Sequence, residues 1–426
     1  MKDVQEFKID HWSEYHAPGS TCEWRLIDTR HGTKLTLPQS RYELHGNRTS
    51  LSSRCSRLTR PGSYASALSL NDLKALSSDP SLELFDPDLQ LTYGSFEGSQ
   101  RLRERIAALH STPECTLSAD DVLITPGSIM ANFLVLDAVS GPGEHVICQY
   151  PTFGQLYLLP KFSGVDVSLW KMDEGNGWMP SLEELERLIK PNTKAIILNN
   201  PSNPTGAILG KEFLEKVIAI ARKSNILVFS DEVYSPLFFT PDRPPSFVTM
   251  GYDRSVVTSS LSKSFAIPGV RIGWVVTRDA ALLRRISMAR DFTTISVSQL
   301  DDAVAAFALD EKVLPALVER NLALCRESIG LLEGFVERSK GRVQWMKPDG
   351  AGTAFIKVLD REGKPVDDVE FSKKLVSEES VCVIAGGHCF GEGDAEDFKG
   401  YVRITLGDPK LLQESLPLLE RFIQKY

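Results

Sequence analysis

From Val122 onward the chain alternates short apolar runs with helical stretches, and the runs themselves do not alternate polar with apolar residues. Val122-Leu123-Ile124-Thr125, Val146-Ile147-Cys148, Val165 to Trp170, Lys194 to Leu198 and Ile226-Leu227-Val228-Phe229 have this character. Helical patterns over Ile129 to Val139, Leu182 to Ile189 and Lys211 to Lys223 separate them. A strand with one wet face alternates, whereas successive apolar residues bury both faces. The pattern therefore predicts an α/β chain: a three-layer large domain whose mostly parallel sheet is covered on each side by helices. Beyond a long helical region, Gln299 to about Arg338, the strands Val343-Gln344-Trp345, Thr353 to Ile356, Val381 to Ile384 and Tyr401 to Thr405 predict a smaller α+β domain. The expected division is an amino-terminal arm over 1–68, a large domain over 69–315 and a small one over 316–426.

In open sheets of this kind ligands sit beyond the carboxyl ends of the strands. The loops at those ends hold the polar residues of interest: Ser128, Phe153, Asn203, Asp231, Tyr234 and Lys263. Lys263 stands in Ser259-Ser260-Leu261-Ser262-Lys263-Ser264, between the predicted strands Val256-Val257-Thr258 and Ile272 to Val276. Such a lysine is either a solvated loop residue or a buried amine, and a buried amine needs a partner or a reason to be neutral. A neutral amine is a nucleophile able to form a Schiff base with an aldehyde. Arg271, eight positions on, and the hydroxyls of Ser260 and Ser262 suit a phosphate. Asp231 ends an apolar strand, an expensive place for a carboxylate that meets no cation. Gly127 and Ser128 open the helix from Ile129, whose first N–H groups favour an anion.

Composition excludes several classes. A net charge of -8 argues against a nucleic-acid partner, whose footprint is normally basic. No run of eighteen apolar residues is present, so no membrane helix is expected. Met1 to Phe7 has no apolar signal core, which predicts a cytoplasmic protein. The seven cysteines (Cys22, Cys55, Cys115, Cys148, Cys325, Cys382, Cys389) form no Cys-x-x-Cys pair. They predict reduced thiols and no metal site.

Asn203-Pro204-Thr205-Gly206, Asp231-x-x-Tyr234, Ser260-x-x-Lys263 and Arg271 stand in an order and spacing that resemble the class I/II pyridoxal-phosphate aminotransferases, the aspartate aminotransferase fold (fold type I). The resemblance runs from about Ser69 to the carboxyl end. It implies pyridoxal 5'-phosphate as cofactor, with Lys263 as Schiff-base lysine and base. It implies that Asp231 meets the pyridine nitrogen, that Asn203 and Tyr234 bond the ring oxygen, and that Phe153 stacks on the ring. It implies a phosphate cup of Gly127, Ser128, the backbone of Ile129, Ser260 and Arg271. Tyr93 would reach the phosphate of a partner subunit, making the active unit a homodimer. Arg403, in Tyr-Val-Arg-Ile-Thr, would bind the substrate carboxylate, flanked by Asn200. The implied substrates are an α-amino acid and a 2-oxo acid.

Within the family, Tyr150 to Tyr157 and Arg290 to Ser296 are most similar to the capreomycidine synthase-like branch. Ser-Leu-Ser-Lys followed by Pro-Gly-Val-Arg is similar to aminocyclopropane-carboxylate synthases. A lyase or cyclase on the same cofactor is therefore the alternative to an aminotransferase. A non-catalytic regulator is disfavoured, because no basic helix-turn-helix accompanies the intact Lys263, Asp231 and Arg403 set.

The segment from Arg25 to Arg60 departs from the family. It holds eight Lys/Arg against Asp28 and Glu43, with many Ser and Thr and little apolar periodicity. Its composition predicts an insertion without a catalytic role. Deleting 25–60 is expected to leave a folded protein that binds pyridoxal phosphate, checked by absorbance and thermal unfolding. A deletion that folds but takes up no cofactor would contradict that expectation.

Overall fold

The computed structural model describes the backbone of residues 26–27 and 34–35, and residues 62–241, 243–392 and 397–426 in full. Two compact units emerge, Met1–Ser53 and Arg54–Tyr426. In the first, strand β1 (Leu26–Ile27) pairs antiparallel with β2 (Lys34–Leu35). The rest of the expected basic insertion, Cys22, Cys55 and the stretch from Phe7 to Trp12 lie outside the described residues.

The second unit carries two sheets. The larger has eight strands in the order β3-β10-β9-β8-β7-β4-β5-β6. They are β3 (Val122–Thr125), β4 (His145–Tyr150), β5 (Asp166–Asp173), β6 (Met179–Pro180), β7 (Thr193–Asn199), β8 (Leu227–Asp231), β9 (Ser255–Ser260) and β10 (Gly273–Val276). Strands β5, β4, β7, β8 and β9 run parallel. Strand β10 runs antiparallel between β9 and β3, so the last residues of β3 and β9 flank its first.

The uninterrupted apolar strands are explained by the two cores they serve. Ile124, Ile196, Leu198, Val228 and Val257 pack on one side with Leu102, Ile106, Leu214 and Val217. Their neighbours Leu123, Ile197, Phe229 and Val256 pack on the other with Leu134, Val135, Leu282 and Ile286. Helices Ser128–Val139 and Ala280–Asp291 share that second side. The latter escaped the sequence pattern, although Asp279 caps it by accepting from the N–H groups of Ala281 and Leu282.

The smaller sheet is antiparallel, in the order β11-β12-β14-β13, with β11 (Val343–Trp345), β12 (Thr353–Val358), β13 (Ile384–Ala385) and β14 (Tyr401–Thr405). Helix Leu314–Arg338 joins the two cores: Leu317 belongs to that of the large sheet, Leu322 and Cys325 to that of the small one. Among the described residues no helix is long and apolar enough to cross a membrane.

Candidate active site

Parallel strands β7, β8 and β9 all end on one edge of the large sheet, at Asn199, Asp231 and Ser260. Strand β3 ends there too, and β10 begins there. The loops leaving this edge bring most of the predicted residues together.

Asp231 is buried and 3% exposed. Its carboxylate accepts from Asn132 Nδ2 at 2.9 Å and from the Val233 N–H at 3.1 Å. Asn132 is fixed in turn by Thr258 Oγ1, which donates to its Oδ1 at 2.6 Å. Burial pushes the Asp231 carboxyl up to about 6, against the pull of these bonds and of the Lys263 charge. Asn132 was missed from sequence, although a lone amide in Ser128-Ile-Met-Ala-Asn-Phe-Leu-Val is the signal that marks it.

Lys263 lies half-buried just past β9. Burial takes its ammonium down to about 8, with Arg403 and Arg271 acting the same way and Asp231 opposing them. A fraction of the amine is therefore neutral near physiological pH, as a nucleophile or proton acceptor requires.

Around Arg271 positive groups converge. The helix Ser128–Val139 starts at Gly127, which has no side chain to cap it. A Cβ on Gly127 would lie 2.3 Å from Arg271 Nη2, so the guanidinium rests over this glycine. Gly273, the first residue of β10, allows the fit: a Cβ there would come within 2.4 Å of the Ser128 nitrogen. Arg271 itself adopts a left-handed φ of 54°. Its Nη1 donates to Pro268 O at 2.8 Å and, more weakly, to Ser262 Oγ at 3.4 Å. A cation held against the positive end of a helix is favourable once an anion sits between them. Ser260 is fully buried beside this cup, its Oγ accepting from the Ser262 N–H at 3.2 Å. The Ile129 side chain points to solvent, 52% exposed, while its carbonyl accepts from Gln155 Nε2 at 2.7 Å.

Arg403, on β14, donates from Nη1 to Asn203 Oδ1 at 3.0 Å and from Nη2 to Gly62 O at 3.3 Å. Phe390 lies beneath its guanidinium, 5.5 Å from ring centroid to Cζ. Asn203 is held by Asn199, whose Oδ1 accepts the Asn203 N–H at 2.8 Å. Tyr234 is buried, and burial raises its phenol, against the pull of Arg403 and a hydrogen bond with Ser63. Phe153 follows β4 and is 40% exposed. Tyr93 is 75% exposed on its loop.

Asn200 is buried in the same loop as Asn203. Its Nδ2 donates to Leu209 O at 3.0 Å and its Oδ1 accepts the Leu209 N–H at 2.9 Å. Both ends of the amide clamp the loop to the Leu209 backbone.

Residues 79–417 match the family model of aminotransferase class I and II. The aspartate aminotransferase of Thermotoga maritima is 30% identical over 338 residues, 78% of this chain and 84% of that one. The tyrosine aminotransferase of Mus musculus is 24% identical over 335 residues, covering 76% and 71%. The structure of a PLP-dependent aminotransferase from Streptococcus suis 89-1591 superposes with a TM-score of 0.81 at 31% identity, covering 92% of this chain and 99% of that one. The chain belongs to the class I and II aminotransferases.

It is a pyridoxal-phosphate-dependent aminotransferase acting on amino acid and 2-oxo acid substrates. Its donor set fits that cofactor. The cup under Arg271 offers backbone N–H groups, a hydroxyl and a guanidinium, the chemistry of a phosphate site. The buried Asp231 carboxylate has only neutral hydrogen-bond donors on it and is matched by a protonated ring nitrogen. Among the described residues no group of His, Cys, Asp or Glu is arranged to hold a metal ion.

Asp231 has a measurable consequence in the cofactor-free protein. A folded pKa near 6 lies above the ordinary 3.8, so the folded state binds the extra proton between these values. Its contribution to stability is therefore present below pH 4 and falls away as pH rises through 6, by roughly 3 kcal/mol for two pH units. Urea unfolding of cofactor-free wild type and Asp231→Asn, measured from pH 4 to 7, checks this. The difference between them should shrink or reverse as pH rises, and a difference independent of pH would contradict it.

Proposed function

We propose that Lys263 is the cofactor-bearing lysine and the base of amino transfer, working against Asp231, Asn203, Tyr234 and Arg403. The observation that carries this reading is a single constellation. A lysine taken down to about 8 lies within electrostatic reach of a buried carboxylate and of a guanidinium hydrogen-bonded to Asn203.

Bound pyridoxal phosphate supplies an electron-withdrawing ring that acidifies the substrate Cα–H and carries the amino group from donor to acceptor. Asp231 holds the ring nitrogen's proton by its charge, and Asn132 and Thr258 keep the carboxylate aimed. Gly127, Ser128, the Ile129 backbone, Ser260 and Arg271 hold the phosphate. Phe153 covers one ring face and excludes water. Asn203 Nδ2 and the Tyr234 hydroxyl bond the ring oxygen. Arg403 takes the substrate α-carboxylate in a two-pronged grip, and its bond to Asn203 ties carboxylate capture to ring position. Lys263 Nζ would take the proton from the substrate Cα, a transfer that needs an amine neutral near pH 8.

The active unit proposed is a homodimer, supported by the outward-facing Tyr93, and the compartment proposed is the cytoplasm. The proposed domains are those of the sequence pattern: an arm to residue 68, a large domain to 315 and a small one beyond it. Transamination is the reaction proposed; the strings Tyr150 to Tyr157 and Arg290 to Ser296, similar to the capreomycidine synthase-like branch, and the Ser-Leu-Ser-Lys motif, similar to aminocyclopropane-carboxylate synthases, support a lyase or cyclase as the second reading.

Incubating the loaded protein with single amino acids, without an acceptor, tests the assignment. One equivalent of 2-oxo acid per cofactor is expected, with loss of the cofactor's visible absorbance and its return when a 2-oxo acid is added. Lys263→Ala should slow this half-reaction by about 10³-fold or more. A Lys263→Ala protein with wild-type rates would overturn the assignment. Product release with no 2-oxo acid formed would favour a lyase or cyclase.

A further inference from the structure

The segment Gly62-Ser63-Tyr64-Ala65-Ser66 played no part in the sequence argument, yet it crosses the site like a strap. At one end Gly62 O accepts from Arg403 Nη2 at 3.3 Å and from the Thr405 hydroxyl. In the middle the buried Ser63 hydrogen-bonds Tyr234. At the other end the Ser66 N–H donates to Gly407 O at 2.9 Å, and Ser66 O accepts from Arg320 Nη2 at 2.8 Å. Gly407 allows the approach, since a Cβ there would lie 2.6 Å from Ala65 Cα. These attachments fix a strap of five residues, and they fix the one large side chain on it.

That side chain is Tyr64. It is half-buried, with the Lys263 Nζ over its ring 5.5 Å from the centroid. We propose that Tyr64 is a specificity-determining residue whose ring forms the wall met by the substrate side chain, selecting aromatic amino acids over acidic ones. The inference rests on the assignments of Lys263 and Arg403 made above.

The geometry behind it is that of a tetrahedral carbon. The substrate Cα has four substituents: a carboxylate directed to Arg403, an amino group directed to the cofactor, a hydrogen directed to Lys263, and the side chain. Once three are fixed, the fourth has no freedom of direction. A Cα within proton-transfer reach of Nζ, about 3 Å, is within one side-chain length of a ring centred 5.5 Å from the same atom. The strap bonds Arg403 directly, so ring and carboxylate clamp move together.

Stacking argues the same way. A phenyl or phenol side chain finds a ring to stack on, an interaction that favours aromatic partners beyond simple area burial.

The test uses the full-length, cofactor-loaded protein as wild type, Tyr64→Phe, Tyr64→Leu and Tyr64→Ala. Two readouts are taken. One is kcat/KM for phenylalanine relative to aspartate. The other needs no turnover: the calorimetric Kd of 3-phenylpropanoate relative to butanedioate. Wild type and Tyr64→Phe should prefer the phenyl compounds, and Tyr64→Leu and Tyr64→Ala should lose about ten-fold of that preference in both ratios. The leucine variant keeps the bulk of the strap, so an alanine variant that fails to fold does not remove the test. A loaded wild type that prefers aspartate and butanedioate, or ratios unmoved in the leucine variant, would overturn the inference alone. A wild type that takes up no cofactor would overturn the site assignment and this inference with it.

Discussion

A carboxylate buried at the end of a strand is the constraint on which the rest of this structure depends. Asp231 sits 3% exposed, held by an amide from Asn132 and a backbone N–H, both neutral. Neutral donors reduce the cost of burying a negative charge without cancelling it, and the raised pKa records the remainder. A cation delivered to this carboxylate stabilises the protein and is itself held charged. In the proposed site a protonated pyridine nitrogen would be that cation, and the carboxylate would keep the ring an electron sink.

The sheet topology makes this work at one edge. Five parallel strands and the outlying β3 point the same way, which lines up the ends of β3, β7, β8 and β9. The antiparallel β10 then starts at the same edge, placing Arg271 over Gly127 and the first turn of the helix from Ser128. Two backbones meet at Gly273 more closely than any side chain would permit. From the small sheet Arg403 reaches Asn203, and a helix shared by both cores fixes one sheet to the other. In the proposed site, substrate carboxylate, ring and phosphate would thus be served by separate elements that meet across a few side chains.

Much of this was legible in the sequence, and the limits have physical causes. The layered fold followed from strands such as Ala195 to Leu198, whose successive residues enter different cores. Asp231 drew notice as a charge ending an apolar strand, Lys263 as an amine in a tight loop, and Asn203 and Arg403 through the resemblance of their motifs to the family; the structure brings Arg403 onto Asn203 and within electrostatic reach of Lys263. The bonds that tie Asn200 to both backbone groups of Leu209 could not be read from sequence, since they join residues nine apart across a loop. The antiparallel course of β10 could not be inferred, since a buried strand carries no mark of its direction. Tyr64 was invisible for a different reason: its place over Lys263 is set by hydrogen bonds to Arg403, Thr405 and Gly407, more than three hundred residues away in sequence.

The pairing of Asp231 with a protonated ring is the centre of this account. The most direct measurement of it is the nitrogen-15 chemical shift of the pyridine nitrogen in protein loaded with labelled pyridoxal phosphate, followed from pH 6 to 9 in wild type and in Asp231→Asn. The account predicts a protonated nitrogen across that range in wild type and an unprotonated one in the variant. A wild-type nitrogen that is unprotonated at neutral pH, or identical shifts in the two proteins, would contradict it.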